Sequence, residues 1–238
     1  MSFFNFRKSR RARKISFLEK KIRQYFRDIY VKDLLLHLEI EARNETIAYI
    51  KQHMQNSMIF TKWHDLHKHA IEHARIEGLF LEFGVKKGET IREIAKMTNR
   101  TVHGFDSFQG LPEDWAGTVL RKGRFDKQGK LPKVPASVML HSGWFNESLP
   151  VFKKKFNEPV AYVHIDCDLY SSTRTIFDEL ADRIVPGTVI VFDEYFNYPN
   201  WQQHEYKAFQ EFVTEHGLTY EYLGFISYEC SVSVKITG

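Results

Sequence analysis

The chain changes its hydrophobic period once, near Gly78, and that change restricts the folds open to it more than any other feature. Upstream, Ile15, Leu18, Ile22, Tyr25 and Phe26, then Leu34, Leu35, Leu38, Ile47 and Ile50, recur at the spacing of one helix face. Residues 15–75 are therefore predicted to form three helices. Downstream, short apolar runs bounded by turn residues read as strands at 79–83, 101–106, 137–141, 160–166, 188–193, 219–224 and 230–236. Amphipathic segments at 89–96, 148–156, 172–184 and 203–215 fit between most of them. The expected fold class is α/β: a Rossmann-like, mostly parallel seven-strand sheet with right-handed crossovers. No helix fits between the last two strands, so a closing hairpin makes one sheet edge antiparallel, which a dinucleotide-binding domain does not need. The expected organisation is a basic tail or helix over 1–27, a helical cap or oligomerisation segment over 28–77, and the catalytic-type α/β domain over 78–238.

Charge is distributed unevenly. Residues 1–27 hold ten Lys or Arg against Glu19 alone, a local +9, so of the overall +4 the remaining residues carry −5. Such a tail could meet nucleic acid or an anionic membrane surface, but a solvated extension or an arm between subunits of a homo-oligomer is the favoured expectation. The two cysteines, Cys167 and Cys230, sit far apart in apolar stretches, which excludes a disulfide framework and fits a reducing compartment. No apolar run approaches the ~18 residues of a spanning helix, and the N-terminus lacks a signal-peptide core. Cytoplasmic localisation is expected.

Two constellations could carry chemistry. Leu81-Glu82-Phe83-Gly84-Val85-Lys86-Lys87-Gly88 lies between a strand and a helix, where glycines let the backbone turn sharply beside a ligand. It lacks the third glycine of a pyrophosphate cradle. Asp106 ends the next strand, where a carboxylate can accept ribose hydroxyls. The second constellation is His164-Ile165-Asp166-Cys167-Asp168, followed one helix later by Phe192-Asp193-Glu194-Tyr195. If their strands are neighbours about 4.8 Å apart, four carboxylates face one cleft. An all-oxygen set suits Mg²⁺, Mn²⁺ or Ca²⁺, a general base is the other functional reading, and solvated acids at helix starts are the bland one. His64, His67, His69 and His73 have no acid placed to complete a metal site and are expected to be structural. Tyr195, Phe196, Tyr198 and Trp201 read equally as core or as a wall of the cleft. Residues 108–135 carry four Gly, three Pro and many charges, the make-up of a lid or binding loop.

At these residues the sequence resembles class I S-adenosylmethionine-dependent methyltransferases, and more narrowly the macrocin O-methyltransferase (TylF-like) family of sugar methyltransferases. The carriers are Leu81 to Val85 with Gly88, Phe105-Asp106-Ser107-Phe108-Gln109-Gly110-Leu111-Pro112, Asp166-Cys167-Asp168-Leu169-Tyr170 with Ser172-Thr173, and Phe192-Asp193-Glu194-Tyr195. The resemblance implies that Glu82, Gly84 and Gly88 surround the methionine part of S-adenosylmethionine. It places Asp106 and the adjacent Ser107 at the ribose, and Ser142, Gly143 and Trp144 around the adenine. It further implies a divalent ion, usually Mg²⁺, held by Asp166, Asp193 and Glu194, with Asp166 and Asp168 as the catalytic carboxylates. Where that family has two consecutive aspartates, this chain has Asp193-Glu194.

A sulfonium methyl is already activated, so the protein has to align an acceptor oxygen and help remove its proton. The leading expectation is metal-assisted O-methylation of a sugar or polyhydroxylated small molecule. The alternatives are a methyltransferase acting on RNA or protein with the basic tail as docking arm, and a non-catalytic cofactor-binding module.

Overall fold

The computed structural model describes residues 10–238, with side chains from residue 14 on, so Arg7 and Lys8 of the basic tail lie outside the described residues. Helices α1 (Arg10–Lys32) and α2 (Leu34–His53) are separated by Asp33, whose carboxylate caps α2 by accepting from the Leu35 and Leu36 N–H groups at 3.1 and 3.2 Å. A short strand β1 (Met58–Phe60) and helix α3 (Trp63–His73) follow. Then come β2 (Leu79–Phe83), α4 (Glu89–Met97), β3 (Val102–Asp106), β4 (Val138–Ser142), α5 (Phe145–Lys153), β5 (Val160–Ile165), α6 (Tyr170–Leu180) and β6 (Val189–Phe192). Helix α7 (Glu205–Glu215) and the hairpin β7 (Tyr220–Ile226) and β8 (Val232–Ile236) complete the chain.

The sheet runs β1-β7-β8-β6-β5-β2-β3-β4, with β8 antiparallel to both neighbours and every other pair parallel. It has eight strands rather than the expected seven. The extra one is β1, which lies inside the segment that the periodicity assigns to helix. Its Met58 and Ile59 side chains are exposed, and it pairs in parallel with β7 because Gly224 leaves room: a Cβ there would sit 2.6 Å from the Phe60 ring. Helix α3 packs on β6, β7 and β8, so the α/β unit begins well before Gly78, and the expected boundary after residue 27 falls inside α1.

Alternation along the strands divides the core into two layers. Leu81, Phe83, Val163, Ile165 and Phe192 face α5, α6 and α7, with Phe177 and Phe212 stacked at 4.5 Å between the last two helices. Phe80, Val102, Tyr162 and Val191 face α3 and α4. The second half of α2 joins the first layer: Tyr49 and Ile50 pack on it, and the Asn197 N–H donates to Thr46 Oγ1 at 3.0 Å. Among the described residues no helix is long and apolar enough to cross a membrane.

Candidate active site

Four parallel strands end level. Phe83 is in register with Phe105 and Ile165, and Ile165 with Phe192, so the next residue on each strand, Gly84, Asp106, Asp166 and Asp193, leaves the sheet at one height. The ladder persists for one more step: the Gly84 N–H donates to the Phe105 carbonyl (2.9 Å), that of Asp166 to Phe83 (2.8 Å) and that of Asp193 to Ile165 (2.9 Å). Gly84 has φ +95°, and a Cβ there would lie 1.7 Å from the Asp166 carbonyl oxygen, so this crossing requires glycine.

A cavity of about 660 Å³ opens at this edge, the size of a small-molecule site. Gly84, Asp106, Ser107 and Trp144 line one side, and Asp166, Asp168, Asp193 and Glu194 the other. Leu111, Trp115, Leu120 and Phe125, from the glycine-rich insertion, roof it; the first two pack with Leu169. The insertion is fastened rather than loose. Ser171 Oγ donates to Glu113 at 2.6 Å, His204 Nε2 lies 3.0 Å from the Ala116 carbonyl, and the Leu111 N–H donates to the Arg124 carbonyl at 2.9 Å.

Asp106 organises the cofactor turn. Its Oδ2 accepts from the Val85 and Lys86 N–H groups at 2.9 and 2.7 Å and its Oδ1 from the Phe108 N–H at 2.6 Å. Ser107 is buried beside it, and its Oγ accepts from the Gln109 N–H at 3.1 Å. The other sequence candidates on this side stand behind the cavity. Gly88 (φ +72°) opens α4, and the Gly143 N–H donates to the Asp106 carbonyl at 3.1 Å while Ser142 is exposed to solvent. Glu82 points away, because alternation along β2 turns it toward α4; it is wholly buried, with His164 Nδ1 at 3.3 Å from Oε2. Burial lifts its pKa above the ordinary carboxylate range against the pull of His164.

On the acidic side, Asp166, Asp168 and Glu194 bring one carboxylate oxygen each within 4.8 Å of one another. This trio differs from the Asp166, Asp193 and Glu194 set that the resemblance implies. Asp193 turns an oxygen to accept from Ser231 Oγ at 3.0 Å, and Asp168 enters because the backbone at that residue takes a left-handed turn, φ +66°. A fifth acid, Glu205, is fully buried at the start of α7, where its Oε2 accepts from the Glu194 N–H at 3.2 Å. Sequence reasoning missed it, since an acid in a first helical turn ordinarily faces solvent. None of the five forms an ion pair among the described residues, and Glu194 Oε2 is buried without a partner. Burial first, and then mutual repulsion led by Asp193, raises Asp166 and Glu194 well above the usual range. Asp168 rises to about 7, held back by Lys86 and by a hydrogen bond with Glu194. Lys86 lines the cavity with its ammonium 4.0 Å from the Phe125 ring centroid. Three hard oxygen donors, one of them without a partner, fit a divalent cation.

The remaining candidates lie elsewhere. His67 Nδ1 meets the Tyr162 hydroxyl at 2.6 Å in the core, His64 stacks on Trp63, and His73 Nδ1 bonds the His69 carbonyl at 2.8 Å. They share no metal centre. Tyr195, Phe196 and Trp201 are core residues rather than a wall of the cleft, while the Tyr198 hydroxyl donates to the Glu194 carbonyl at 3.1 Å.

Residues 81–195, from the glycine turn through the acidic pair, match the model of a family described as a methyltransferase domain. The chain carries a methyltransferase domain. In an alignment of 196 positions that covers 71% of this chain and 74% of the other, its sequence is 24% identical to 8-demethyl-8-(2,3-dimethoxy-alpha-L-rhamnosyl)-tetracenomycin-C 4'-O-methyltransferase of Streptomyces olivaceus. Among solved structures it superposes on CalS11, a calicheamicin methyltransferase, with a TM-score of 0.56 at 16% identity, covering 91% of each chain. The O-methyltransferase NovP gives 0.55 at 22% identity, covering 74% of this methyltransferase and 79% of that chain. At those identities the likeness is one of fold, and it includes the antiparallel edge of the sheet.

Proposed function

We propose that this methyltransferase transfers the methyl of S-adenosylmethionine to a hydroxyl of a sugar or another polyhydroxylated small molecule. The observation that carries the reading is the joining, in one cavity, of the Gly84–Asp106 wall and the unpaired carboxylates of Asp166, Asp168 and Glu194. The curated relative, named for methylating a rhamnosyl oxygen, supports a sugar-like acceptor.

The cavity fits the cofactor by size and by charge. A cationic sulfonium beside Asp166 and Asp168 meets acids that form no ion pair among the described residues. Asp106, with lone pairs left beyond its three backbone bonds, accepts from the ribose hydroxyls with Ser107 beside it; Trp144 borders the adenine, and Gly84 lies along the methionine part. Glu82, Gly88, Ser142 and Gly143 shape this wall from behind without lining it. Asp166, Asp168 and Glu194 would hold a divalent cation, Mg²⁺ for preference, with Asp193 oriented by Ser231 as an outer acid. Such an ion would lower the pKa of the acceptor hydroxyl and fix its direction. The lid excludes water from the sulfonium, and the carboxylates align the acceptor oxygen in line with the C–S bond at roughly 3 Å. The methyl passes to that oxygen, the thioether leaves as S-adenosylhomocysteine, and the hydroxyl proton goes to Asp168 or through it to water.

A second reading rests on the place of Asp168, whose carboxylate lines the cavity and whose burial lifts its pKa to about 7, as suits a general base acting without an ion. Methyl transfer from radiolabelled cofactor to a panel of glycosides, before and after EDTA treatment, separates the two. The metal-assisted reading expects turnover to collapse on chelation and return with Mg²⁺ or Mn²⁺. Full turnover in EDTA hands the proton transfer to Asp168 alone, and no transfer to any glycoside defeats the sugar reading.

A further inference from the structure

We infer that α1 is an interfacial helix that docks the enzyme onto an anionic lipid surface. At about 100° per residue, Ile15, Leu18, Ile22, Tyr25 and Phe26 occupy one sector of the helix, and their exposures run from 47% to 66%. The apolar surface continues around the bend at Asp33 into Leu34, Leu35 and Leu38 of α2, which are 74%, 45% and 49% exposed. Only the later part of α2, from Ala42 on, is held by the body of the enzyme, through Thr46 and Tyr49. Among the described residues the α1 stripe is thus left uncovered. The rest of the circumference is mainly cationic, with Lys14, Lys20, Lys21, Arg23, Arg27 and Lys32 against two acids, Glu19 and Asp28, and it also holds Phe17 and Val31, 60% and 69% exposed; Asp28 is paired with Lys32 at 2.8 Å.

These two faces select the occupant. An RNA strand would neutralise the cations and leave isoleucine, leucine and phenylalanine in water. A second copy of α1 would cover the apolar stripe but bring two cationic helices side by side. A bilayer containing anionic lipid satisfies both faces together: the aromatic and aliphatic side chains enter the headgroup boundary while the Lys and Arg stems reach phosphates on either flank. The helix lies in the interface rather than across it, since among the described residues no helix is apolar enough to span. The body of the enzyme does not supply this attraction, because residues 28–238 carry a net −5.

Flotation of the full-length protein with phosphatidylcholine vesicles, with and without phosphatidylglycerol, tests the inference. The wild type is expected to float with the anionic vesicles at least about ten-fold more than with the neutral ones, and to be released at about 0.5 M salt. Ile22→Asp/Phe26→Asp and Lys20→Glu/Lys21→Glu are each expected to lose about ten-fold of that binding. Their affinity for S-adenosylmethionine, measured by calorimetry, should stay at the wild-type value, which also shows that they fold. No enrichment on anionic vesicles overturns the proposal. So does binding that survives Ile22→Asp/Phe26→Asp, because charge alone then accounts for it. A wild-type dimer that this pair converts to monomers, with no lipid binding in either, overturns it in favour of self-association.

Discussion

Asp106 has two tasks that one carboxylate can perform together: it holds the Val85, Lys86 and Phe108 amides in place and offers its remaining lone pairs to a ligand in the cavity. Asp106→Ala should therefore weaken S-adenosylmethionine binding by about 1–3 kcal/mol, as buried donors lose their acceptor. Calorimetry checks it, and unchanged affinity in a folded variant would contradict the assignment. His103 makes a different prediction. It is buried on β3 with His141 Nε2 at 3.1 Å, and burial, then the neighbouring His141, lowers its pKa to about 4. The unfolded chain, with histidine near 6.5, binds this proton more readily than the native state, so the native state loses stability as pH falls from about 6.5 toward 4. The loss from this residue is on the order of 3 kcal/mol. Denaturant midpoints measured across that window should flatten in His103→Gln, and an equal slope in the two proteins would refute the assignment.

Gly84 and Gly123 both take left-handed backbone, yet the elements that contain them answer differently to substitution. At Gly84 a Cβ would strike the Asp166 carbonyl where β2 passes the end of β5, whereas at Gly123 (φ +77°) nothing lies within 4 Å. Gly84→Ala is expected to cost more than about 3 kcal/mol and Gly123→Ala about 1, read by urea unfolding. The lid depends on Trp115, which is 6% exposed and packs with Leu111 and Leu169. Trp115→Ala should release the lid and raise the dissociation rate of bound S-adenosylmethionine several-fold while leaving the sheet folded, as stopped-flow displacement would show. Strands β2 to β8 were readable from the sequence, because each is a short apolar run between turn residues. β1 was not, since three residues with two exposed side chains leave no periodic trace among flanking helices. Asp168 could be read as an acid at the right strand end but not as the partner of Glu194, because the left-handed turn that swings it inward has no signature in the residue type. Glu205 and the core position of Tyr195 and Trp201 were hidden for a related reason: burial depends on what packs above them.

Taken as one molecule, the enzyme concentrates buried negative charge at the carboxyl edge of its sheet and leaves positive charge at its N-terminal helix. Acids that repel one another in a dry cleft are held there against their own electrostatics, which is tolerable when a bound cation compensates them. Mn²⁺ titration followed by electron paramagnetic resonance, on enzyme saturated with S-adenosylmethionine, measures that compensation directly. The account predicts one tight Mn²⁺ site per chain, displaced by Mg²⁺ and weakened at least about ten-fold in both Asp168→Asn and Glu194→Gln, with S-adenosylmethionine affinity retained. A wild-type enzyme that binds no Mn²⁺ at this site, or binds it equally well after both substitutions, would contradict it.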